Sequence, residues 1–529
     1  MRRIIVEPRP NATRLVQSQG LVYSTSESTD SESGKAKNIY WPDDRYYSFT
    51  SEETELVAKA GRDVWDMCEE AAEYILEEAP EMITEKMGVP AFAVEQIKKS
   101  WDREPSWGSV YGRFDVCFGG LDHPDPRLRT PKFYEFNADT PTSLVEAGVI
   151  QWRWLEQTGH GNDQYNLITE MLVTAWERNL AEIEKVLGHR PTIFFASAED
   201  EPSGEDAMNT ALMMDLAMDA GWKAKMITVE EIAFCEEDGR FYTPRGEHLT
   251  VVFKLYPWEF MVNQPFGKAA FKDMERIGER DEEGKYVGGT VWIEAPFKML
   301  WSNKAIFAIL WQLFKDDPRS KWLLPTYFED EKPEELTKYA KKPIFAREGA
   351  DIILHKDGKD IQDTTTGDYG KEGYIVQELA ILPEFEDEEG TLHYPVIGLW
   401  WVDGEAAGIG IREDRSPITT NGSTFVPHSI SDAEVNYERE PVPSLEEIEK
   451  TIKGEEYADA EVIYGRDPVP GREEFEKTIR LEYADEVSYE KKPVQGLGEV
   501  EKRMVGEESA DEKDEARNDL LNYIALVTR

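Results

Sequence analysis

Residues 111–118, YGRFDVCF, and residues 132–143, KFYEFNADTPTS, read as two paired strands that carry polar side chains on a shared face. Side chains alternate across a strand, so residues two apart in each segment point the same way. The segment between them, GGLDHPDPRLRTP at 119–131, is rich in glycine and proline and predicts a long hairpin. The polar side chains on the shared face are Arg113, Asp115, Glu135 and Asn137.

This face has two interpretations. Carboxylate and amide oxygens suit Mg²⁺ that carries substrate phosphates, and a fixed arginine suits a phosphoryl or carboxylate group. Charged hairpins are also common on protein surfaces, where ion pairs contribute little to stability. The hairpin alone therefore leaves open a metal site and an exposed, salt-bridged surface.

Composition indicates a globular protein with room for two to four domains. The chain has 529 residues, of which 40% are hydrophobic, enough for a large core. No uninterrupted apolar stretch of about 18 residues occurs, and the apolar run near the start is very short, so we expect neither a membrane span nor a secretory signal. The 3 cysteines are scattered and form no CxxC pair, and the histidines lack HExxH spacing, which argues against disulfides and transition metals. A cytoplasmic location follows as an expectation.

The charge balance limits the classes of molecule that the protein is expected to bind. A net charge of −46, from 106 acidic and 60 basic residues, argues against nucleic-acid binding, which relies on a basic surface. Cationic small molecules would be attracted instead, although the same acidity is also an ordinary route to solubility.

Helical and strand patterns alternate through the first 430 residues. Apolar spacing predicts a helix near 50–78, with Thr50 and Glu53 forming a capping box. Further expected elements are a buried strand in 191–200 and helices in 143–159, 163–187 and 204–221. The mixture predicts an α+β (mixed α/β) fold.

The character changes near residue 431, where three similar units begin. Their tyrosines, Tyr437, Tyr464 and Tyr489, are 27 and 25 residues apart. Each unit predicts a short strand, a proline turn and an acidic amphipathic helix, and repeats of this size are usually scaffolds or binding surfaces. We treat 431–529 as an acidic tail of three repeats that recruits a protein partner or mediates self-association.

One lysine stands at the start of a predicted buried helix. WSNKAIFAILWQLF, 301–314, is apolar on nearly all sides, with Ser302 and Asn303 as caps and Lys304 in the first turn. A lysine at the positive end of a helix dipole is unfavourable unless it meets an anion, although it can also reach solvent from a helix end.

A second predicted hairpin, 339–359, has small residues at its tip. Such a tip can fold its backbone N–H groups over phosphates, although most bind nothing. Only one of Lys341 and Lys342 can face inward, and the pattern does not say which. The tip residues are Arg347, Glu348, Gly349 and Ala350.

Two later strands are further candidates. The segment 374–383, YIVQELAILP, is either an ordinary core strand or one that pairs its backbone with an adenine edge at Gln377, Glu378, Leu379 and Ala380. In 400–423, Gly408 and Gly410 share a face with Arg412, which leaves space before that guanidinium unless the glycines mark a bulge or tight packing.

Five segments of the chain are similar, in the same order, to segments of a known protein family: FYEFNADTPTSLVEAGVIQWRWLE at 133–156, FKLYPWEFM at 253–261, NKAIFAILW at 303–311, KKPIFAREGADI at 341–352 and AGIGIREDR at 407–415. Together they resemble the glutathionylspermidine synthase-like family of ATP-grasp ligases. The resemblance covers approximately 1–430 and is closest to single-domain bacterial members, described as acid-amine ligases, that lack an amidase domain. It implies an ATP-grasp fold with antiparallel sheets and flanking helices.

The resemblance also implies roles for individual residues. The family binds ATP and two Mg²⁺ ions, and the positions matching its metal ligands are Asp115, Glu135 and Asn137. Arg113 matches the arginine that steadies the transferred phosphoryl group. The remaining matches are the ATP-contacting Lys304 and Lys342, the γ-phosphate contact Arg412, and the mobile loop Arg347–Ala350.

The substrate positions match less fully. A serine-rich segment contacts glutathione in the true synthase, whereas here the residues are Thr140, Pro141, Thr142 and Ser143. Glu205 and Asp206 fall where the family places an acidic pair at its polyamine site, although the loop before them differs.

The combined expectation is an ATP- and Mg²⁺-dependent carboxylate-amine ligase that works through an acyl phosphate. It would join a peptide or amino-acid carboxylate to a polyamine-like amine. The alternative is a non-catalytic module that binds a nucleotide or polyamine and recruits a protein partner through the acidic repeats.

Overall fold

The computed structural model of the chain describes residues 1–453 except 24, 28–36, 200, 202, 348, 362–368, 421 and 433–439. The α-helices are α1 Ala12–Ser18, α2 Ser51–Glu77, α3 Glu81–Glu85, α4 Val94–Trp101, α5 Gln151–Thr158, α6 Ile168–Leu187, α7 Glu205–Asp219, α8 Trp258–Met261, α9 Gly267–Met274, α10 Lys298–Trp301, α11 Ala305–Phe314 and α12 Leu445–Lys453.

The strands that the structure describes are β1 Arg2–Ile5, β2 Thr25–Glu27, β3 Lys37–Ile39, β4 Arg45–Phe49, β5 Tyr111–Cys117, β6 Lys132–Asn137, β7 Thr192–Ser197, β8 Lys223–Thr228, β9 Ala233–Cys235, β10 Arg240–Tyr242, β11 Val251–Leu255, β12 Val291–Ile293, β13 Thr326–Phe328, β14 Tyr339–Pro343, β15 Ile353–Lys356, β16 Lys359–Ile361, β17 Tyr374–Glu378, β18 Phe385–Glu386, β19 Leu392–Val402, β20 Glu405–Asp414, β21 Thr424–Val426 and β22 His428–Ile430. The expectation of a mixed α/β fold is confirmed.

Two antiparallel sheets carry most of the predicted site. One has the order β21-β20-β19-β5-β6, with β18 paired to β19, and contains the expected hairpin of β5 and β6. The other has the order β13-β17-β14-β15-β16, in which β14 and β15 form the second expected hairpin. The expectation of antiparallel sheets is incomplete, because β12-β11-β7-β8 is a parallel sheet.

Alternation along β5 and β6 separates an apolar face from a polar one. Phe114 stacks on Phe136 with ring centroids 3.8 Å apart, and Phe133 lies edge-on to Phe114 at 5.5 Å. These rings belong to the main core, where a fully buried phenylalanine contributes about 1.5–3 kcal/mol. Strict alternation would put Phe133 on the face of Glu135, but the register shifts between Asp115 and Val116, so Phe133 packs on the apolar face and Tyr134 lines the cavity. The polar residues of both strands therefore face the other way.

Most of the predicted helix ends agree with the structure, although α6 begins at Ile168 and not at 163. Thr50 and Glu53 form the expected capping box at the start of α2. Glycines in the left-handed conformation, Gly159 and Gly188, end α5 and α6. The segment predicted as one helix across 143–159 differs, because a π-helical turn at Glu146–Ile150 precedes α5.

The expected cap of α11 is partly wrong. Asn303 Oδ1 accepts a hydrogen bond from the Ala305 amide at 3.0 Å, but the Ser302 hydroxyl instead accepts from the amides of Ala138 and Asp139 at 3.1 and 2.7 Å. Lys304 lies just before the first turn of the helix, not within it.

The chain through Leu445 forms one compact unit, and Glu446–Arg529 forms a second. Within the second unit only Glu446–Lys453 are described, as part of α12. Of the three predicted repeats, residues 433–439 and 454–529 lie outside the described residues. No helix in the described ranges is both long enough and apolar enough to cross a membrane.

Candidate active site

A cavity of about 620 Å³ is lined by both antiparallel sheets. The lining includes residues of β5, β6, β19 and β20 from one sheet and of β14 and β17 from the other. The predicted site residues that line it are Arg113, Asp115, Glu135, Asn137, Thr140, Thr142, Asp206, Lys342, Arg347, Gly349, Ala350, Gln377, Glu378, Leu379 and Arg412. Lys304 and Glu205 lie close behind this lining, and Glu348 lies outside the described residues.

The hairpin register brings the polar residues together. Asp115 lies directly opposite Glu135, and Arg113 lies directly opposite Asn137. Facing residues on antiparallel strands have Cβ atoms about 4.5–5.5 Å apart, so the oxygens converge. The Arg113 and Asp115 side chains are only 15% and 18% exposed and are joined by a 3.1 Å hydrogen bond from Arg113 Nε to Asp115 Oδ1. An exposed surface hairpin is therefore the wrong interpretation.

The two facing carboxylates have opposite pKa shifts. Burial and the nearby Glu135 raise the pKa of Asp115, although Arg113 opposes them. Burial also favours a raised pKa for Glu135, but Lys304 and Lys342 outweigh it and lower that pKa. The two lysines therefore stabilise the ionised form of Glu135, whereas the charge of Asp115 is incompletely compensated, and a divalent cation would supply the missing positive charge.

The donor set fits Mg²⁺ better than a softer metal. It consists of two carboxylates and the amide of Asn137, and hard oxygen ligands suit Mg²⁺ when water and phosphate complete its shell. Among the described residues, no group of three or more His, Cys, Asp or Glu could hold a metal.

Both predicted lysines reach the same carboxylate region. Lys304 Nζ donates to Glu135 Oε1 at 2.8 Å and to the Ala346 carbonyl. Lys342 is the lysine of its strand that faces inward, and its Nζ donates to Gln377 Oε1 at 2.8 Å. Burial and the charge of Lys304 lower the pKa of Lys342 to about 8. The neighbouring Lys341 instead pairs with Glu329, at 2.5 Å.

Arg412 approaches from β20. Its Nη2 donates to the Thr420 carbonyl at 2.8 Å and its Nη1 to Ser143 Oγ at 3.3 Å. Gly410 lines the cavity, but neither glycine leaves open space before the guanidinium. A Cβ at Gly410 would lie 2.9 Å from Phe425 Cζ, and one at Gly408 would lie 2.7 Å from the Tyr165 carbonyl oxygen. Tight packing, the alternative that the sequence left open, explains both glycines.

An unpredicted glycine makes room for the hairpin arginine. Gly398 pairs with Asp115 across β19 and β5 and lines the cavity. A Cβ at Gly398 would lie 2.8 Å from Arg113 Cδ, so the arginine side chain lies directly over this position.

The five-stranded sheet supplies an apolar wall. Ala340, Ile352, Leu354 and Ile418 form a small cluster with Leu379 packed against it. The backbone N–H of Leu379 already donates to the Lys338 carbonyl at 3.1 Å, and that of Glu378 to Pro325 at 2.7 Å. An adenine ring would fit against this wall, but it would have to take its hydrogen bonds from other backbone groups.

Two of the predicted substrate residues, Thr142 and Glu205, lie near Arg412, whereas Thr140 binds Arg347. The Thr142 carbonyl accepts from Arg113 Nη1 at 2.7 Å, and the Thr142 side chain hydrogen-bonds Glu205. Burial, together with the charge of Glu146, raises the pKa of Glu205 to about 7. Asp206 lines the cavity beside this group.

Glu146 is a site residue that the sequence analysis missed. Its Oε1 accepts hydrogen bonds from Tyr23 at 2.5 Å and Tyr40 at 2.7 Å, and it is fully buried. Its Oε2 has no hydrogen-bond partner among the described residues. The partners come from segments 106 or more residues away in sequence, so no local pattern could have linked them.

With this geometry established, comparison with known proteins identifies the family. The family model described as glutathionylspermidine synthase preATP-grasp matches residues 3–431. The chain belongs to this family. The sequence-based expectation of an ATP-dependent carbon-nitrogen ligase is confirmed at the level of the family.

Relatives in the glutathionylspermidine synthase family differ in length. A putative acid-amine ligase of Haemophilus influenzae is 31% identical over 81% of this chain and 99% of its own length. The bifunctional glutathionylspermidine synthetase/amidase of Escherichia coli is 27% identical over 72% of this chain and 58% of its own length. Trypanothione synthetase of Crithidia fasciculata is 25% identical over 67% of this chain and 52% of its own length. The chain therefore spans little more than half of the two longer relatives.

Proposed function

We propose that this protein is an ATP-grasp carboxylate-amine ligase that uses ATP and Mg²⁺ to form an amide bond through an acyl phosphate. The observation that carries the proposal is the cavity itself. It is lined by the possible metal ligands Asp115, Glu135 and Asn137, by apolar residues of the five-stranded sheet, and by four cationic side chains, Arg113, Lys342, Arg347 and Arg412. The proposed acid is a peptide or amino-acid carboxylate, and the proposed amine is polyamine-like.

The cationic side chains account for the first step. The substrate carboxylate attacks the γ-phosphorus of ATP, ADP leaves, and the attacking oxygen becomes the bridge of the acyl phosphate. Catalysis of phosphoryl transfer is mainly positioning and charge neutralisation, which Arg113, Arg412 and the lysines supply. Asp115, Glu135 and Asn137 would hold two Mg²⁺ ions. When bound, the ions neutralise phosphate charge.

The acidic side chains account for the second step. The amine attacks the acyl carbon, phosphate leaves, and one proton must be removed from the nitrogen. Glu205, whose pKa is raised to about 7, is suited to accept that proton near neutral pH. Asp206 and the buried Glu146 add negative charge that favours a cationic amine, and Thr140 and Thr142 offer hydroxyls to the acid.

The test uses purified protein with ATP, MgCl₂, spermidine or putrescine, and a panel of amino acids and γ-glutamyl peptides that includes glutathione. ADP release and amide formation, the latter followed by mass spectrometry, are expected in a one-to-one ratio. Glu135→Ala should abolish both, whereas Glu329→Ala, at an exposed carboxylate paired with Lys341, should retain them. Failure of every pair to release ADP above the Glu135→Ala level would refute the proposal.

A further inference from the structure

A buried aspartate next to the cavity has no role in the reaction outlined above. Asp139 is 0% exposed, and its carboxylate accepts from Lys254 Nζ at 2.7 Å and from the Trp258 amide at 2.8 Å. Its own amide donates to Ser302 Oγ at 2.7 Å. Lys254 is 1% exposed and lies over the Trp258 ring at 4.4 Å. The aspartate thus joins three chain segments that are distant in sequence.

The residues that follow Asp139 and Trp258 both bind the same arginine. Arg347 Nη2 donates to the carbonyl of Thr140 at 3.2 Å and also to its hydroxyl. Arg347 Nη1 donates to Glu259 Oε1 at 2.9 Å. We call Thr140 and Glu259 the arginine socket.

Charge alternates around this socket. Burial favours a lower pKa for Arg347, but Glu259 and then Asp139 outweigh it and raise that pKa. Burial lowers the pKa of Lys254, while Asp139 and Glu259 oppose the shift. Each cation is therefore influenced by both carboxylates, although, of the two cations, Asp139 contacts only Lys254 and Glu259 contacts only Arg347. Removing the charge of Asp139 would weaken the arrangement on both sides.

We propose that Asp139 is a positioning residue that, through Lys254 and the Trp258 amide, fixes the arginine socket and so places the Arg347 guanidinium at the cavity. Asp139 does not line the cavity, so it would act through Arg347, which does. The turnover test of this proposal rests on the proposed function, whereas the hydrogen-exchange test does not.

The turnover test is a double-mutant cycle with Asp139→Asn and Arg347→Lys. Asparagine keeps the size of the side chain but removes its charge. Each single variant should lower kcat/KM for ATP by about 10- to 100-fold, because small misplacements at an active site have effects of this size. The kcat/KM of the double variant should be no more than about threefold below that of the less active single variant, since both changes act on one group. Multiplicative losses would overturn the proposal.

Asp43→Asn is the matched control for burial. Asp43 pairs with Arg9 at 2.6 Å, both side chains are 2% exposed, and neither lines the cavity. Its turnover, corrected for folded fraction, should stay within about threefold of the unmodified protein, as expected for a change away from the site. An equal loss in both aspartate variants would show a general cost of burial and overturn the positioning role.

A second measurement does not need turnover. Hydrogen exchange followed by mass spectrometry should be faster in the peptide that carries Arg347 for Asp139→Asn and for Glu259→Gln, which leaves the Asp139–Lys254 pair intact. Unchanged exchange of that peptide in both variants would refute the socket. If the unmodified protein turns over no acid and amine, the proposed function fails, while the exchange result still decides the inference.

Discussion

Substitution of Gly398 by alanine tests whether the position of Arg113 matters for turnover. The added Cβ would lie 2.8 Å from Arg113 Cδ, whereas carbon atoms in contact are about 3.5–4.0 Å apart. The arginine must therefore move by about 1 Å. That movement strains its 3.1 Å bond to Asp115 and its 2.7 Å bond to the Thr142 carbonyl.

The expected result separates stability from activity. Overpacking of this kind costs about 1–3 kcal/mol, which a protein of this size can tolerate, whereas misplacing a group that meets the phosphoryl oxygen lowers kcat by about 10- to 100-fold. ADP release and a urea unfolding curve measure the two quantities. Gly422→Ala is the control, because the nearest atom to its added Cβ would be Thr420 Oγ1 at 3.6 Å, an ordinary contact distance. Turnover of Gly398→Ala within twofold of the control would refute the role of Arg113.

Three further outcomes are expected. Turnover that depends on Glu205 should rise as pH increases through about 7, since the base must be deprotonated, and Glu205→Gln should remove this rise; an unchanged pH profile would contradict the assignment. Lys342→Met should raise the Kd of ATP by about 10-fold or more in calorimetry, whereas Lys341→Met, on the other face, should not. Glu413→Gln should cost about 3–5 kcal/mol of unfolding free energy, because Glu413 accepts from Arg3 at 2.7 Å and Arg45 at 3.0 Å. Burial opposes ionisation of Glu413, but His393 and the arginines outweigh it and lower its pKa. The contribution of Glu413 to the unfolding free energy is therefore present above about pH 4.3 and is lost as pH falls below that value. If the unfolding free energy of Glu413→Gln falls in acid as steeply as that of the unmodified protein, the assignment is contradicted.

Local rules recovered the parts of the fold that depend on neighbouring residues. The segment 119–131, rich in glycine and proline, predicted the hairpin, and alternation put Glu135 and Asn137 on one face. The capping box of Thr50 and Glu53 was readable for the same reason, since both residues lie within one turn. The register shift between Asp115 and Val116, which brings Phe133 to the apolar face, was not predicted.

Contacts between segments that are distant in sequence could not be predicted. Alternation gives the phase of Lys341 and Lys342 relative to each other, but only the packing of β14 against β17 decides which one is buried. The role of Gly408 was left open because the chain at Tyr165, which comes close to it, is distant in sequence, and Ser302 was misread because backbone amides of another loop need its oxygen. Glu146 was missed because its two tyrosine partners come from remote segments.

The most direct test of carboxylate activation is transfer of oxygen from the acid to phosphate. An acid that supports ADP release is labelled with ¹⁸O in its carboxylate and incubated with ATP, Mg²⁺ and the amine, and the phosphate is analysed by mass spectrometry. If an acyl phosphate is formed, each amide should be accompanied by one phosphate, and that phosphate should carry one ¹⁸O atom. Unlabelled phosphate accompanying the amide would contradict the proposed reaction.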